Sequence, residues 1–344
     1  MTYPRLSLIA LLVSFATHAD ADIFEPLGPS QSDFGGVGLL QMPTARMAKT
    51  GEFSVNYFDD DQYRRWSMSV QPFDWLEATL RYTDVRTRLY SANPDFSGDQ
   101  TYKDKGMDIK VRLLEESTWI PNISLGFRDL MGTGLFDSEY VVGTKRVGPF
   151  DFTLGMGWGN MGESGNITNP FCEWKDDWCS RDDSYSSGGG KFETGNMFHG
   201  NAALFGGVEY QTPWQPLRLK LEYDGNDYSN EFAGKIDHSS PINIGAVYRL
   251  FDYMDTHLSY QRGNTLMWGV TLRTNFNDLR QNHLDEPRPV YSENKVPADT
   301  SKVDWSGMAG QFESNAGWNS ASLYSGQDTV TLLGQQHKYR DQQE

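Results

Sequence analysis

Apolar and polar residues alternate along most of this 344-residue chain, and no other feature constrains its fold as strongly. The clearest example is the segment 217–224, which reads LRLKLEYD. Successive side chains of a strand point to opposite faces, so one face of this strand is apolar and the other is charged. A soluble sheet would turn the apolar face to a core. A membrane barrel would turn it to lipid and the charges to a wet interior.

The first residues favour export from the cytoplasm. Arg5 is followed by an apolar run over 6–15 and by Ala19-Asp20-Ala21, which fits a cleavage site. Residues 1–21 therefore read as a secretory signal peptide, and the run is too short to span a bilayer. No Cys lies at the cleavage site, which argues against a lipid anchor. No other segment has 18 consecutive apolar residues, so helical membrane spans are not expected.

The alternation recurs in about twelve segments of roughly 8–12 residues between positions 51 and 276, each long enough to cross a bilayer when tilted. Connections after even-numbered segments are all short: 72–74, 116–120, 148–149, 212–216 and 252–255. The long ones all follow odd-numbered segments: 86–105, 161–199 and 227–240. Outer-membrane barrels have short periplasmic turns and longer outer loops. The pattern predicts an all-β fold, a closed antiparallel transmembrane β-barrel of about twelve strands with both termini in the periplasm.

Composition agrees with this prediction. The mean hydropathy of −0.59 indicates a polar chain, but a barrel turns only alternate residues to lipid, which dilutes the average. The net charge of −16 argues against a nucleic-acid partner, whose phosphates would be repelled. Trp75, Trp119 and Trp214 lie near the short turns, where an aromatic girdle is expected. Ordinary aromatic strand ends are the alternative explanation.

The segments flanking the predicted barrel (51–276) are different in character. The lead-in segment 22–50 contains Gly35, Gly36 and Gly38, which suit a tight or closely packed backbone. Residues 277–304 are polar and carry several Pro, which is typical of a linker. Residues 305–344 predict a short helix and two short strands. Forty residues bury little core, so we expect a partial α/β periplasmic module, completed by another chain or by a missing half, or a small tail packed under the barrel.

Charged side chains on the polar faces are candidates for the lumen lining. Both signs occur, so Arg–carboxylate pairs would fill the bore, whereas an open pore would leave the charges solvated. The sequence does not choose between these states. The candidates are Glu77, Arg81, Asp108, Lys110, Arg112, Arg128, Arg218, Lys220, Glu222, His257, Gln261 and Arg273.

The longest predicted loop contains the two cysteines of the chain. Cys172 and Cys179 are seven positions apart in an exported protein, which favours a disulfide over a metal site. Trp174, Trp178 and Tyr185 are candidates for glycan contact, because aromatic rings stack on sugar faces. A solvated surface loop is the simpler interpretation. No cofactor or metal ion is predicted.

Signals for catalysis are weak. His257 lies beside Ser259, but no G-x-S-x-G motif occurs. The His residues form no H-E-x-x-H zinc motif. We expect a protein that is not an enzyme.

The segment GGVGLLQMPTARMAKTGEFSV, followed by QPFDWLEATLRYT, resembles the start of the YjbH-type outer-membrane proteins, which are encoded with exopolysaccharide and capsule export genes. The resemblance extends from about Gly35 into the tail, and it implies a barrel with a role in polysaccharide secretion. Family members are typically longer, with a periplasmic α/β domain and a second barrel.

The leading functional hypothesis is therefore a barrel in the outer membrane of a Gram-negative bacterium that assists exopolysaccharide or capsule secretion. Its expected partners are lipid, a polysaccharide, and other export proteins or a second barrel chain reached through the tail. A general or sugar-selective porin is the first alternative. An enzyme acting on lipid or glycan is the second, and a docking scaffold is the third.

Overall fold

The computed structural model describes residues 27–181, 195–234, 236–278, 297–326 and 329–336. The predicted signal peptide and most of the predicted linker lie outside these ranges. The chain divides into two compact units, Met1–Leu279 and Arg280–Glu344.

The first unit is a closed antiparallel barrel of twelve strands, which confirms the predicted fold class. Each strand pairs with its neighbours in sequence, and β1 pairs with β12 to close the ring, from Glu52 opposite Asn275 to Asp59 opposite Trp268. The strands are β1 Glu52–Asp59, β2 Tyr63–Phe73, β3 Leu76–Leu89, β4 Thr101–Leu114, β5 Asn122–Arg128, β6 Ser138–Val147, β7 Phe150–Gly159, β8 Ala202–Gln211, β9 Leu217–Tyr223, β10 Ile242–Leu250, β11 Met254–Gln261 and β12 Thr265–Asn275.

The twelve strands form the wall of the barrel. Its apolar face points outward and its polar face points inward, the reverse of the arrangement in a soluble barrel. In β9 the charged side chains of Arg218, Lys220 and Glu222 are buried inside the ring, whereas Leu219 and Leu221 are 42% and 48% exposed on its outside. The same alternation recurs in β2, β7 and β11. The closed ring thus has an apolar outer surface and a polar interior.

All three long loops lie at one end of the barrel, and the other end carries only short connections. The short-turn end carries the connections 74–75, 115–121, 148–149, 212–216 and 251–253. The loop end carries the three long loops, 90–100, 160–201 and 224–241, together with the connections 60–62, 129–137 and 262–264. Helix α1, Pro94–Ser97, and the 3-10 helices Asn160–Gly162, Pro170–Glu173 and Asp176–Cys179 lie in these long loops.

Exposed aromatic residues cluster near both ends of the outer surface. At the short-turn end, Trp119 is 90% exposed and Trp75 stacks on Phe73, with ring centroids 5.5 Å apart. At the loop end, Tyr57 contacts Trp66 and Trp268, with centroids 5.6 and 5.3 Å apart. The apolar outer surface is therefore bordered by aromatic rings on two sides.

The second unit contains helix α2, Trp305–Ala316, and the antiparallel strands β13, Trp318–Ser325, and β14, Val330–Gln336. A 3-10 helix, Thr300–Lys302, precedes them. Asp304 caps α2 by accepting a hydrogen bond from the N–H of Gly307, and Gly317 ends the helix with a left-handed backbone. Of the helices in the described ranges, none combines the length and apolarity that a membrane span requires.

Candidate functional site

The interior of the barrel is filled by its own lead-in segment. Residues 30–45, which we term the plug, are all buried. The plug turns back on itself, because the N–H of Ser32 donates to the Gly36 carbonyl over 2.9 Å and Gln31 bridges to Val37. Gly35 makes this turn with a φ of +78°, and a Cβ there would clash with the side chain of Ser67 on the wall.

The plug enters and leaves the barrel at the short-turn end. Before it, the carbonyl of Gly28 accepts hydrogen bonds from Arg218 at 2.8 Å and Arg249 at 3.2 Å. After it, Arg46 pairs with Asp151 at 2.6 Å and with Glu116 at 2.5 Å. Its tip reaches the loop end of the bore, so the segment forms a folded-back loop inside the ring.

Two buried acids of the wall bind the plug backbone. The Glu222 carboxylate accepts the N–H groups of Leu40 and Met42 at 2.8 and 2.9 Å, and that of Gln41 as well. The Glu77 carboxylate accepts the N–H of Val37 at 3.0 Å. A carboxylate that accepts several backbone donors makes strong, charge-assisted hydrogen bonds.

Two buried lysines bind the carbonyl groups of the same segment. The Nζ of Lys220 donates to the carbonyls of Gly38 and Leu39, each at 2.7 Å. The Nζ of Lys110 donates to the Val37 carbonyl at 3.0 Å and pairs with Glu77 at 3.0 Å. Charges of both signs on the wall thus satisfy buried N–H and carbonyl groups of the plug backbone.

At the tip of the plug, the ring of Phe34 lies among three arginines of the wall. The guanidinium carbons of Arg128, Arg65 and Arg81 lie 4.1, 4.3 and 5.1 Å from the ring centroid. Cation–π attraction strengthens when both partners are removed from water, and both are buried here. The same ring meets Phe136 of the 129–137 loop edge-on, with centroids 5.6 Å apart.

The loop end is covered by an apolar cluster to which Phe34 contributes. Phe136 comes from one loop and Tyr228 and Ile236 from another, and they pack with Tyr63 and Val85 of the wall. The Tyr63 hydroxyl also donates to Glu231 over 2.5 Å, which binds the 224–241 loop to β2.

Two loop acids near this cover have raised pKa values. Burial raises the pKa of Asp129 to about 7, although the nearby Arg81 charge opposes the shift. Burial also raises the pKa of Glu163 to about 7, and the neighbouring Glu231 adds to the effect. Desolvation disfavours the charged carboxylate in both cases.

Near the short-turn end, one buried acid pairs with three arginines. The Asp255 carboxylate, with 0% side-chain exposure, pairs with Arg249 at 2.8 Å, with Arg218 at 3.4 Å and with Arg273. Arg218 also lies 3.6 Å from Glu209. The network joins β9, β10, β11 and β12 from the inside.

The structure places the predicted lumen residues on the inner face of the wall. Nine are buried there: Glu77, Arg81, Lys110, Arg128, Arg218, Lys220, Glu222, His257 and Gln261. Asp108, Arg112 and Arg273 are partly buried. His257 hydrogen-bonds Thr271 through Nε2 at 3.0 Å and packs edge-on to Phe58.

The 160–201 loop contains the predicted disulfide, Cys172–Cys179. Trp174 is 82% exposed, whereas Trp178 stacks on His199 with centroids 4.5 Å apart. Phe198 of this loop packs on Trp158, which belongs to the outer face of β7. Tyr185 lies outside the described residues, so glycan contact by these three aromatics stays a prediction.

The plug was not predicted from the sequence, although the Gly-rich stretch 35–38 predicted a tight or closely packed backbone. Residues 30–45 show no period of two or of 3.6, so no element could be assigned to them. The available signal was a segment of mixed apolar and polar residues without periodicity, which lies between the predicted signal peptide and the first strand of the barrel.

Comparison with known proteins identifies the relatives of this chain. A family model described as "Exopolysaccharide biosynthesis protein YbjH" matches residues 30–344. The "Uncharacterized lipoprotein YjbH" of Escherichia coli (strain K12) is 57% identical over 339 residues, which are 98% of this chain and 48% of that protein. The chain thus spans about half the length of this relative.

Solved structures show much weaker similarity. The NanC porin is 10% identical, with a TM-score of 0.33 over 64% of this chain and 98% of that one. A mutant porin from Rh. blastica is also 10% identical, with a TM-score of 0.27 over 62% of this chain and 56% of that one. Identities and TM-scores this low carry no information about the function or the substrate of this chain. The family model and the Escherichia coli relative together establish that this chain belongs to the YjbH family of exopolysaccharide biosynthesis proteins.

Proposed function

We propose that this chain forms an outer-membrane barrel that assists the secretion of an exopolysaccharide without catalysing a reaction. The apolar outer surface and its two aromatic borders support a position in lipid, because a membrane barrel needs an apolar band between interfacial aromatics. An exposed apolar surface that encircles a barrel is not compatible with water. The family's description supports the link to exopolysaccharide.

The observation that carries the proposal is the filled bore. A general porin keeps an aqueous channel through its barrel, whereas here residues 30–45 occupy the interior and bind both acids and lysines of the wall. A barrel closed in this way protects the permeability barrier when no polymer is being moved. The filled interior therefore favours a dedicated export component over a passive porin.

Polysaccharide release by cells tests the proposal. Deleting the gene should lower the extracellular polysaccharide several-fold while polymer accumulates inside the cell, because an export step is missing. The whole gene supplied in trans should restore release. Unchanged amounts inside and outside the cell would reject the secretion role. A lower total without internal accumulation would indicate a role in synthesis instead.

A further inference from the structure

A cavity of about 280 Å³ lies between the plug and the wall beside the short turns. Small-molecule sites typically begin at ~300 Å³, so the cavity suits a single small ring. Val37, Leu39 and Pro29 form its apolar side, next to the plug backbone. Arg146, Asp151 and Glu209 line the opposite side. An apolar face opposite a few converging polar groups is the usual arrangement of a ligand site.

The contacts of Glu209 with its cationic neighbours are long and leave part of its acceptor capacity free. Its carboxylate oxygens lie 3.6 Å from Arg218 and 3.5 Å from Lys220, although its side chain is only 14% exposed. These distances exceed the 2.7–3.2 Å of ordinary N–H···O bonds. The carboxylate is therefore charge-balanced, and it can still accept short hydrogen bonds from a ligand in the cavity.

Arg146 offers the complementary donors. Its guanidinium makes one contact to Asp151, at 3.3 Å, and its side chain is 32% exposed. A guanidinium carries five N–H donors, so most of them stay available. Arg46 and Asp151, which form a 2.6 Å ion pair, complete the polar rim.

The chemistry of the lining points to an uncharged sugar. Two arginines and two acids balance each other, so a phosphate or carboxylate ligand gains no net attraction. An aliphatic ligand would displace the water around Glu209 and Arg146 without offering them hydrogen bonds, which costs free energy. A pyranose has an apolar C–H face for Val37 and Leu39. Its hydroxyl groups can donate to Glu209 and accept from Arg146.

We propose that this cavity binds one neutral sugar residue of the exported polymer at the short-turn mouth of the barrel. This inference rests on the proposed secretion role and adds the first contact with the polymer. The site would hold the chain end beside the point where the plug enters the bore. Because Val37 and Leu39 of the plug form part of the site, displacing the plug would release the sugar beside the opened bore.

Saturation-transfer NMR tests this site on the full chain, purified in a zwitterionic detergent because sugar-based detergents would compete. The probes are the methyl α-glycosides of glucose, galactose and mannose, with glucuronate as the charged comparison. At least one neutral glycoside should bind, with a dissociation constant near ~1 mM. Glu209→Gln and Arg146→Gln should each weaken binding about tenfold, the loss of one to two hydrogen bonds.

Arg112→Gln is the matched control, because Arg112 is a partly buried arginine at the same end that does not line the cavity. Arg146→Gln keeps the test valid if Glu209→Gln fails to fold. No binding of any neutral glycoside at ~50 mM, fifty times the expected constant, would overturn the proposal. So would stronger binding of glucuronate, or binding that both cavity variants leave unchanged. Polysaccharide release is measured separately, so it can fail or succeed independently of this result.

Discussion

Deleting residues 30–45 should convert an electrically silent barrel into a conducting channel. The plug occupies the bore, and its Phe34 forms part of the apolar cover at the loop end. Gly28 and Arg46 lie at the same mouth, bound to Arg218 and to Asp151, so the deletion joins two points at one end of the barrel. The freed groups of Glu222, Lys220 and their neighbours would be hydrated by water entering the bore.

Planar bilayer recordings measure this effect. The wild-type protein should give no steady current, and the deletion variant should give stable conductance steps. Glu115→Ala is a control for changed charge at the short-turn mouth, because the Glu115 side chain is 76% exposed and its ion pair is with Arg112, outside the plug. Equal, steady currents from wild type and deletion would show that the plug does not close the barrel. The same conclusion would follow if the deletion variant gave no current but still migrated as a compact barrel in electrophoresis of unheated samples.

Replacing Asp255 with Ala should destabilise the barrel by about 3–5 kcal/mol, the usual cost of removing one partner of a buried ion pair. Asp255 is fully buried and is the shared partner of Arg218, Arg249 and Arg273. Without it, three like charges face each other in a space closed by the plug. Urea unfolding in lipid vesicles, followed by tryptophan fluorescence, gives the free energy of unfolding.

Asp74→Ala provides the comparison for Asp255. Asp74 also pairs with an arginine, Arg112, at 2.8 Å, but its side chain is 68% exposed. Exposed ion pairs contribute about 0–1 kcal/mol, so this variant should unfold almost as the wild type does. Similar losses in the two variants would mean that the interior is wet and that the bore is not filled as described.

The barrel itself was predictable because its evidence is local. Alternation in segments such as 217–223 depends only on neighbouring residues, and the loop lengths add an independent pattern. The predicted strand boundaries were less accurate where strands extend past their neighbours at the loop end of the barrel. The loop predicted over 86–105 is shorter in the structure, because β3 continues to Leu89 and β4 begins at Thr101.

The plug was not predictable in the same way because its partners are distant in sequence. Leu40 and Glu222 are 182 positions apart, and Val37 and Glu77 are 40 apart. The charges on the polar faces were identified, but a filled bore and an open pore require the same residues there. Only the tertiary arrangement shows that backbone amides of the lead-in segment, rather than water alone, satisfy these side chains.

The position of lipid around the barrel is tested most directly by spin labels on its outer surface. Leu80 and Leu221 are 52% and 48% exposed on the outside of β3 and β9, and Asp95 in the 90–100 loop is the aqueous reference. In reconstituted bilayers, labels at Leu80 and Leu221 should relax through collisions with oxygen but not with a polar nickel chelate, whereas the label at Asp95 should meet the chelate freely. Free access of the chelate to the two strand positions would place them in water and contradict a membrane barrel.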